Sequence, residues 1–320
     1  MADTEQLDLA LYCTQCMPGY HLPCFAGGDD DIFERHGLSI RIFDPEGGPA
    51  NPAAVAAGRL DLCLTSVAHF LAAKRENPQL QARFVFMVAR QSHMAAFVAR
   101  GRPAAHGRPI ETYADLDGAT LLGDPDSPFG REYRALLSRL GARGGESVNV
   151  PYESIMQALA DGRGDVAADF ADLLPRFREA AAPHGVQVDA LPFHDAGIDI
   201  YGSGLVASTR LLAERPATAR AAVRAFREAL QASRDDPRRG LRGLLDHIPT
   251  ADADAVLAGW SAGAPIVFDA EPSALGTMTV EKWQRTIDYH ADAYGGSRDI
   301  DVHELFDGAP LAADHAAAAR

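Results

Sequence analysis

The sequence predicts an α/β protein of two lobes, and three features of the 320-residue chain support this prediction. Short runs rich in Val, Ile, Leu and Phe alternate with stretches of helical pattern, which is typical of mainly parallel sheets with crossover helices. The length exceeds that of a common single domain and favours two. A short sequence pattern also occurs twice, about a hundred residues apart.

The apolar runs that alternate with helical stretches predict ten strands and five helices in the first two thirds of the chain. We expect strands over residues 7–13, 38–43, 60–64, 83–89, 95–99, 119–122, 148–150, 165–168, 186–191 and 200–207. We expect helices over residues 51–57, 68–75, 131–140, 154–160 and 173–182.

The last third of the chain has an almost purely helical pattern. In residues 218–234, Val223, Phe226 and Leu230 form one apolar stripe. Helices are predicted over 238–247, 251–261 and 280–292, packed on the first lobe, and the Ala-rich tail 311–320 is expected to fray.

The repeated pattern reads AVAAGRLDLCLTS from Ala54 and ALADGRGDVAADF from Ala158. Each copy is a helix end, then Gly-Arg-x-Asp, then an apolar strand. Gly58 and Gly162 suit the left-handed position that ends a helix. Two copies in one chain indicate two lobes of similar construction.

The two repeated strands end in Thr65-Ser66 and in Asp169-Phe170. Because ligands of open α/β sheets lie beyond the carboxyl ends of strands, two facing lobes would enclose a ligand between them. We expect residues 1–99 and 204–320 to form the first lobe and residues 100–203 the second. Hinges are predicted at 100–102 and 198–203.

The charge of the chain excludes some classes of partner. Its 44 acidic and 30 basic residues give a formal net charge of −14. We therefore expect no nucleic-acid partner and no attraction to anionic lipid surfaces. No apolar run reaches the length of a membrane span, so the protein is not expected to be membrane-embedded.

The acidic N-terminus lacks the features of a signal peptide. Taken as written, the chain is expected in the cytoplasm. If a leader has been removed, a periplasmic or cell-surface location is expected instead.

Three cysteines lie in the segment YCTQCMPGYHLPCF, which starts at Tyr12 and follows the first predicted strand. Cys13 and Cys16 have Cys-x-x-Cys spacing, and Cys24 is nearby, but no second pair completes a zinc site. We therefore predict no bound metal. The thiols can be small apolar side chains, a redox pair or a nucleophile, and Cys16 is the strongest candidate for a nucleophile.

Further candidate ligand-binding residues follow the predicted strands. Ser66 can cap a helix, Thr65 can hold a ligand oxygen, and His69 can bond a ring nitrogen or act as a base. Ser127, with Pro128 after it, has the pattern of a helix start that binds a polar ligand group. The other candidates that an amino-heterocycle would contact are Tyr152, Asp169 and Tyr201.

The order of several motifs resembles the thiamine-pyrimidine-precursor branch of the type II periplasmic-binding-protein fold. That branch contains ABC-transporter solute-binding proteins and the fungal hydroxymethylpyrimidine phosphate synthase. The similar segments extend over nearly the whole chain and read PGYHLP at 18–23, FERHGL at 33–38, GRLD at 58–61, VAHFLAAK at 67–74 and GSGLV at 202–206.

The resemblance implies two lobes that close on a small planar heterocycle, with Tyr20, His21 and His69 lining the gap. His21 and His69 match histidines of the branch. The pyridoxal-phosphate lysine of the fungal enzyme would fall on Thr65 here, and its iron motif has no counterpart at 198–204. Synthase chemistry of that kind and a cofactor are therefore not expected.

Two main hypotheses about function remain from the sequence, and a cytoplasmic ligand sensor is a third. The first is a solute-binding protein of an ABC importer, with a small-molecule ligand and a permease as partners. The alternative is a cytoplasmic enzyme on the same scaffold, desulfinase-like or acting on a pyrimidine precursor. In that enzyme Cys16 or Cys24 would be the nucleophile, and His21 or His69 would be the acid–base group.

Overall fold

The computed structural model describes residues 4–15, 17–43, 50–269 and 274–312. Its strands are β1 Glu5–Ala10, β2 Leu38–Phe43, β3 Leu62–Ser66, β4 Ala82–Ala89, β5 Met94–Ala99, β6 Leu121–Leu122, β7 Ser147–Val148, β8 Val166–Phe170, β9 Val188–Pro192 and β10 Ser203–Ser208.

The α-helices surround these strands and lie close to the predicted positions. They are α1 Leu22–Asp29, α2 Ile32–Arg35, α3 Ala50–Ala56, α4 Val67–Glu76, α5 Pro128–Leu140, α6 Ile155–Ala160, α7 Leu174–Ala181, α8 Thr209–Glu214, α9 Pro216–Asp235, α10 Leu241–His247, α11 Ala253–Val267 and α12 Val280–Tyr294. The helices α1, α2 and α8 were not predicted from the sequence.

Two five-stranded sheets share one strand plan, which confirms the predicted two-lobed α/β class. The orders are β2-β1-β3-β10-β4 in the first lobe and β7-β6-β8-β5-β9 in the second. In each sheet the fourth strand in the order, β10 or β5, pairs antiparallel with both neighbours. The remaining pairs are parallel. Each antiparallel strand, β5 or β10, follows directly after a crossing from the other lobe. It therefore starts at the edge of the sheet where its neighbouring strands end.

The sheet pairing corrects the predicted boundary between the lobes. Residues 94–99 were assigned to the first lobe, but β5 pairs with β8 and β9 of the second sheet. The chain therefore crosses between sheets at residues 90–93, ten residues before the predicted hinge at 100–102. The return crossing at residues 193–202 contains most of the predicted hinge at 198–203. A continuous apolar run does not reveal which sheet a strand joins.

The repeated Gly-Arg-x-Asp pattern has the same role in both sheets. Its strands, β3 and β8, are each the third strand in the order. Asp61 accepts a hydrogen bond from the backbone N–H of Asp8 on β1 at 3.0 Å. Asp165 accepts one from the backbone N–H of Thr120, just before β6, at 2.8 Å. Each aspartate therefore joins the start of its strand to the neighbouring parallel strand.

Both glycines of the pattern adopt the predicted left-handed conformation, with φ of +71° at Gly58 and +75° at Gly162. A guanidinium group covers each of them. A methyl group at either glycine would lie 2.9 Å from a nitrogen of Arg210 or of Arg102, respectively. Arg102 donates to the last carbonyl oxygens of α6.

The C-terminal helices pack on the first lobe, as expected, but two of them also contact the second lobe. The helix α9 contacts α1 and α2 of the first lobe. In contrast, α11 contacts both the turn Pro18–His21 of the first lobe and α7 of the second. The helix α12 contacts α5 of the second lobe, while its Trp283 is buried in the core around Phe84. These two helices therefore connect the lobes.

None of the helices in the described part of the chain combines the length and the apolar character that crossing a bilayer requires. Of the tail predicted to fray, residues 313–320 lie outside the described residues.

Replacing Gly162 by alanine tests the guanidinium cover. The left-handed backbone costs alanine about 1–2 kcal/mol, and the new methyl group displaces Arg102 from two carbonyl oxygens for a further ~1 kcal/mol. Gly185 is the matched control, because its φ is +66° and no atom lies near its would-be methyl group. We expect urea unfolding to show a larger loss for Gly162→Ala than for Gly185→Ala. Equal losses would contradict a stabilising role for Arg102.

Candidate ligand-binding cleft

A cleft of about 150 Å³ lies where the strand ends of the two sheets meet. The first lobe contributes Cys13, which follows β1, and Ser66 and His69 at the start of α4. The crossings contribute His93 and Tyr201. This position confirms the expectation that the strand ends of two lobes enclose a space.

The second lobe and α12 form the opposite wall of the cleft. Phe129 and Glu132 come from the first turns of α5, and Phe170 is the last residue of β8. His290 and Tyr294 come from the last turn of α12. The walls are therefore mostly aromatic, with one carboxyl group among them.

Buried hydrogen bonds hold the floor beneath the cleft. The Ser203 hydroxyl bonds His93 Nε2 at 2.9 Å and also the hydroxyl of Tyr20. His21 Nε2 bonds the backbone oxygen of Tyr12 at 2.8 Å. Burial lowers the pKa of His21 and of His93 to about 4, so both imidazoles are neutral at pH 7.

The polar end of the cleft is built around Glu132. The Tyr294 hydroxyl donates to Glu132 Oε1 at 3.0 Å, and the Tyr294 ring stacks on His290 with 5.7 Å between centroids. Among the described residues, Glu132 Oε2 and both ring nitrogens of His290 have no hydrogen-bond partner. Burying a polar atom without a hydrogen-bond partner costs free energy. A polar ligand group or a water molecule that bonds these atoms would remove that cost.

Electrostatically, the cleft is close to neutral. Burial raises the pKa of Glu132 to about 7, so both of its protonation states are populated at neutral pH. Burial, together with the nearby charge of Arg75, lowers the pKa of His290 to about 3. Burial also lowers the pKa of His69. Among the described residues that line the cleft there is no arginine or lysine.

Three of the predicted ligand-binding residues line this cleft, namely Ser66, His69 and Tyr201. As expected, Ser66 caps α4, because its hydroxyl accepts from the backbone N–H of His69 at 3.2 Å. Their contact with a ligand remains a prediction.

Tyr20, His21 and Thr65 do not line the cleft. All three are buried, and Tyr20 and His21 belong to the floor network. Of the three side chains expected in the gap, only His69 is there. The turn Pro18–His21 packs against α11, a placement that no spacing in the sequence reveals.

Ser127 and Tyr152 line a second cavity of about 170 Å³ in the second lobe. Ser127 caps α5 as predicted, accepting from the backbone N–H of Gly130 at 3.1 Å. Tyr152 donates to Asp169 Oδ1 at 3.4 Å, and Asp169 is buried behind it. The structure therefore separates these three residues from the main cleft.

The described cysteines of the segment, Cys13 and Cys24, have different environments. Cys13 lines the cleft, whereas Cys24 is buried and its pKa is raised to about 12 by that burial. Such a thiol is not an effective nucleophile at neutral pH. Cys16, the strongest nucleophile candidate, lies outside the described residues. Within 4–15, 17–43, 50–269 and 274–312, no three His, Cys, Asp or Glu side chains converge as metal ligands would.

Sequence reasoning missed Phe129, Glu132, His93, His290 and Tyr294. For two of them a signal exists. Glu132 precedes Leu136 by four residues on the buried face of α5, and His290 follows Ile287 on the buried face of α12. A titratable residue on an apolar helix face is a candidate for function. His93 lies in a crossing without periodicity, so the sequence holds no such signal for it.

Comparison with known proteins places the chain among two-lobed binding folds. The family model described as NMT1/THI5 like matches residues 19–240. The solved structure of SsuA, a periplasmic sulfonate-binding protein from Methylobacillus flagellatus KT, is 14% identical with a TM-score of 0.71, covering 99% of this chain and 96% of that one. The periplasmic aliphatic sulphonate binding protein SsuA from Escherichia coli is 16% identical with a TM-score of 0.70, covering 94% and 97%. The search of curated proteins found no match.

The raised pKa of Glu132 predicts a pH-dependent loss of stability. The carboxyl stays protonated up to about pH 7 in the folded chain but ionises near its ordinary value of 4.5 when unfolded. The free energy of unfolding therefore falls as pH rises between these values, by on the order of 3 kcal/mol. In Glu132→Gln this decrease is absent, because the amide does not ionise.

The measurement is urea unfolding of wild type and Glu132→Gln from pH 4.5 to 8, with the exposed Glu34→Gln as control. His290 contributes in the opposite direction, because its lowered pKa makes stability rise with pH below its ordinary pKa. Subtracting the free energy of unfolding of the variant from that of wild type at each pH removes the contribution of His290. A difference that is constant across the pH range would contradict the raised pKa.

Proposed function

Because this chain belongs to the NMT1/THI5-like family, we propose that it is the solute-binding component of an ABC import system. Its two lobes close on a small planar nitrogen heterocycle of the thiamine-pyrimidine-precursor type. The single observation that carries this proposal is a narrow aromatic cleft that contains a protonatable carboxyl group and no cationic side chain among the described residues.

The shape of the cleft favours one flat ring. A volume of about 150 Å³ leaves room for little more than a single heterocycle. Phe129 and Phe170 meet edge to face on the second-lobe side, with 5.2 Å between ring centroids. Tyr201 faces the cleft from the crossing. Aromatic side chains hold a planar ligand by stacking and by edge-to-face contact.

The hydrogen-bonding groups favour an amino-substituted ring. Tyr294 occupies only one oxygen of Glu132, and the other is without a partner among the described residues. A carboxyl group forms paired hydrogen bonds with an amino group and the adjacent ring nitrogen. Because the pKa of Glu132 is near 7, it can meet that nitrogen in either protonation state. The neutral imidazoles of His69 and His290 offer further donors or acceptors.

The same groups disfavour a sulfonate, the ligand that the similar SsuA proteins are named for. A sulfonate is permanently anionic, and its burial requires compensating positive charge or several N–H donors. The described lining has no arginine or lysine, and the ionised form of Glu132 would repel the anion. The proposed ligand is therefore neutral or weakly basic.

Closure of the lobes would complete the site. Residues on both sides of the cleft contact the space, and the crossings at 90–93 and 193–202 are the connections about which the sheets would rotate. A ligand that bonds Glu132 on one side and His69 on the other favours the closed form by its differential affinity. We propose that the closed surface is what a permease recognises.

Calorimetric titration with two probes tests this proposal. The hydroxymethyl-substituted aminopyrimidine precursor of thiamine is expected to bind, and ethanesulfonate is expected not to bind. Glu132→Gln is expected to weaken pyrimidine binding at least about tenfold, since a hydrogen bond to a charged group contributes about 1.5–3 kcal/mol.

Glu34→Gln on α2 is the control and is expected to bind like wild type, because it lies far from the cleft lining. Tight binding of the sulfonate without binding of the pyrimidine would contradict the proposed ligand class. Turnover of the pyrimidine by the purified protein would contradict a transport role.

A further inference from the structure

Two cavities meet at the start of α5, where Pro128 and Phe129 line both of them. They are the cleft of about 150 Å³ and the second cavity of about 170 Å³ in the second lobe. We propose that Phe129 is the specificity-determining residue that limits ligand size, because it separates these two cavities. This inference rests on the proposed function, since it concerns the ligand of the same cleft.

Two neighbouring aromatic rings hold Phe129 in this position. Tyr152 stacks on it almost parallel, with 5.7 Å between centroids and an interplanar angle of 10°. Phe170 meets it edge on, with an interplanar angle of 84°. Contacts from two directions restrict rotation of the ring. The three rings therefore form a wall in which Phe129 is held in place by its two neighbours.

The backbone of Phe129 is also held. It is the second residue of α5, which begins with Pro128 and is capped by Ser127. Ser127 additionally donates from its hydroxyl to the backbone oxygen of Asp124 at 2.6 Å. A capped helix start with proline at its first position has little freedom. The ring is thus anchored at both its backbone and its faces.

The second cavity has room for an apolar extension of the ligand. Its lining is mainly apolar, with Leu122, Val150, Ile155 and Ala168 around Phe129, although Asp124 and Ser127 also line it. A ligand whose ring occupies the cleft could therefore extend an apolar substituent, such as an aryl group, into the second cavity. With Phe129 in place, such a substituent has no path.

Phe129→Ala tests the wall by opening that path. The probes are the hydroxymethyl aminopyrimidine and its O-benzyl ether, which has the same ring and one added aryl group. We expect wild type to bind the benzyl ether at least tenfold more weakly than the parent compound. In Phe129→Ala we expect the ratio of the two affinities to shift by at least tenfold towards the benzyl ether.

Two further variants show whether a change in the affinity ratio comes from the opened path or only from a loss of folding stability. Phe129→Leu keeps an apolar side chain but removes the flat ring, and an intermediate shift is expected. Phe177→Leu removes a ring that stacks on Phe97 in the core of the same lobe, away from both cavities. It is expected to lower stability without changing the ratio. A ratio shift in Phe177→Leu equal to that in Phe129→Ala would overturn the proposal.

A second measurement does not require the heterocycle. Crystals of wild type and of Phe129→Ala are soaked in iodobenzene, whose iodine is located by anomalous scattering. We expect an aryl molecule across the position of the lost ring in the variant only. The same iodine positions in both proteins would overturn the role of Phe129, whatever the pyrimidines do. If neither pyrimidine binds wild type while the iodine positions differ, the proposed function fails and the wall stands.

Discussion

The hydroxyl of Ser203 is the interaction on which the arrangement of the two lobes depends. It bonds His93, which lies in the first crossing between the sheets, and Tyr20, which lies in the turn Pro18–His21. Ser203 itself begins β10, at the end of the second crossing. One buried side chain therefore joins both crossings to the first lobe. Because the cleft lies directly above these groups, their positions determine where its floor can be.

The histidines of this floor are neutral, so they add no positive charge to the cleft. Burial keeps the imidazoles of His21 and His93 uncharged, and the described cleft lining has no cationic side chain. Burial on the opposite side raises the pKa of Glu132 to about 7. The fold is shared with sulfonate-binding proteins, so the proposal of a neutral or weakly basic ligand rests on the lining side chains and not on the fold.

Much of the fold was predictable because it rests on local rules. Apolar runs and helical spacing predicted most strands and helices, and the two Gly-Arg-x-Asp copies predicted two lobes of similar construction. The candidate site was predictable only in part. Ser66 and His69 were found because a helix cap and a strand end are encoded within a few residues. Tyr20 and His21 are buried in the floor network and do not line the cleft, because the direction in which a turn folds depends on what packs over it. Their contact with a ligand stays a prediction.

By itself, the sequence determined the α/β class, the repeated lobe, the helix caps at Ser66 and Ser127 and the left-handed glycines Gly58 and Gly162. These features depend on residues close together in the chain, whose conformational preferences act locally. Only the tertiary structure decided that β5 joins the second sheet and that α11 and α12 contact both lobes. It also decided that Glu132, His290 and Phe129 come together in one wall of the cleft. Those placements depend on packing between residues as much as about 240 positions apart, such as Gly19 and Trp260, for which no local pattern exists.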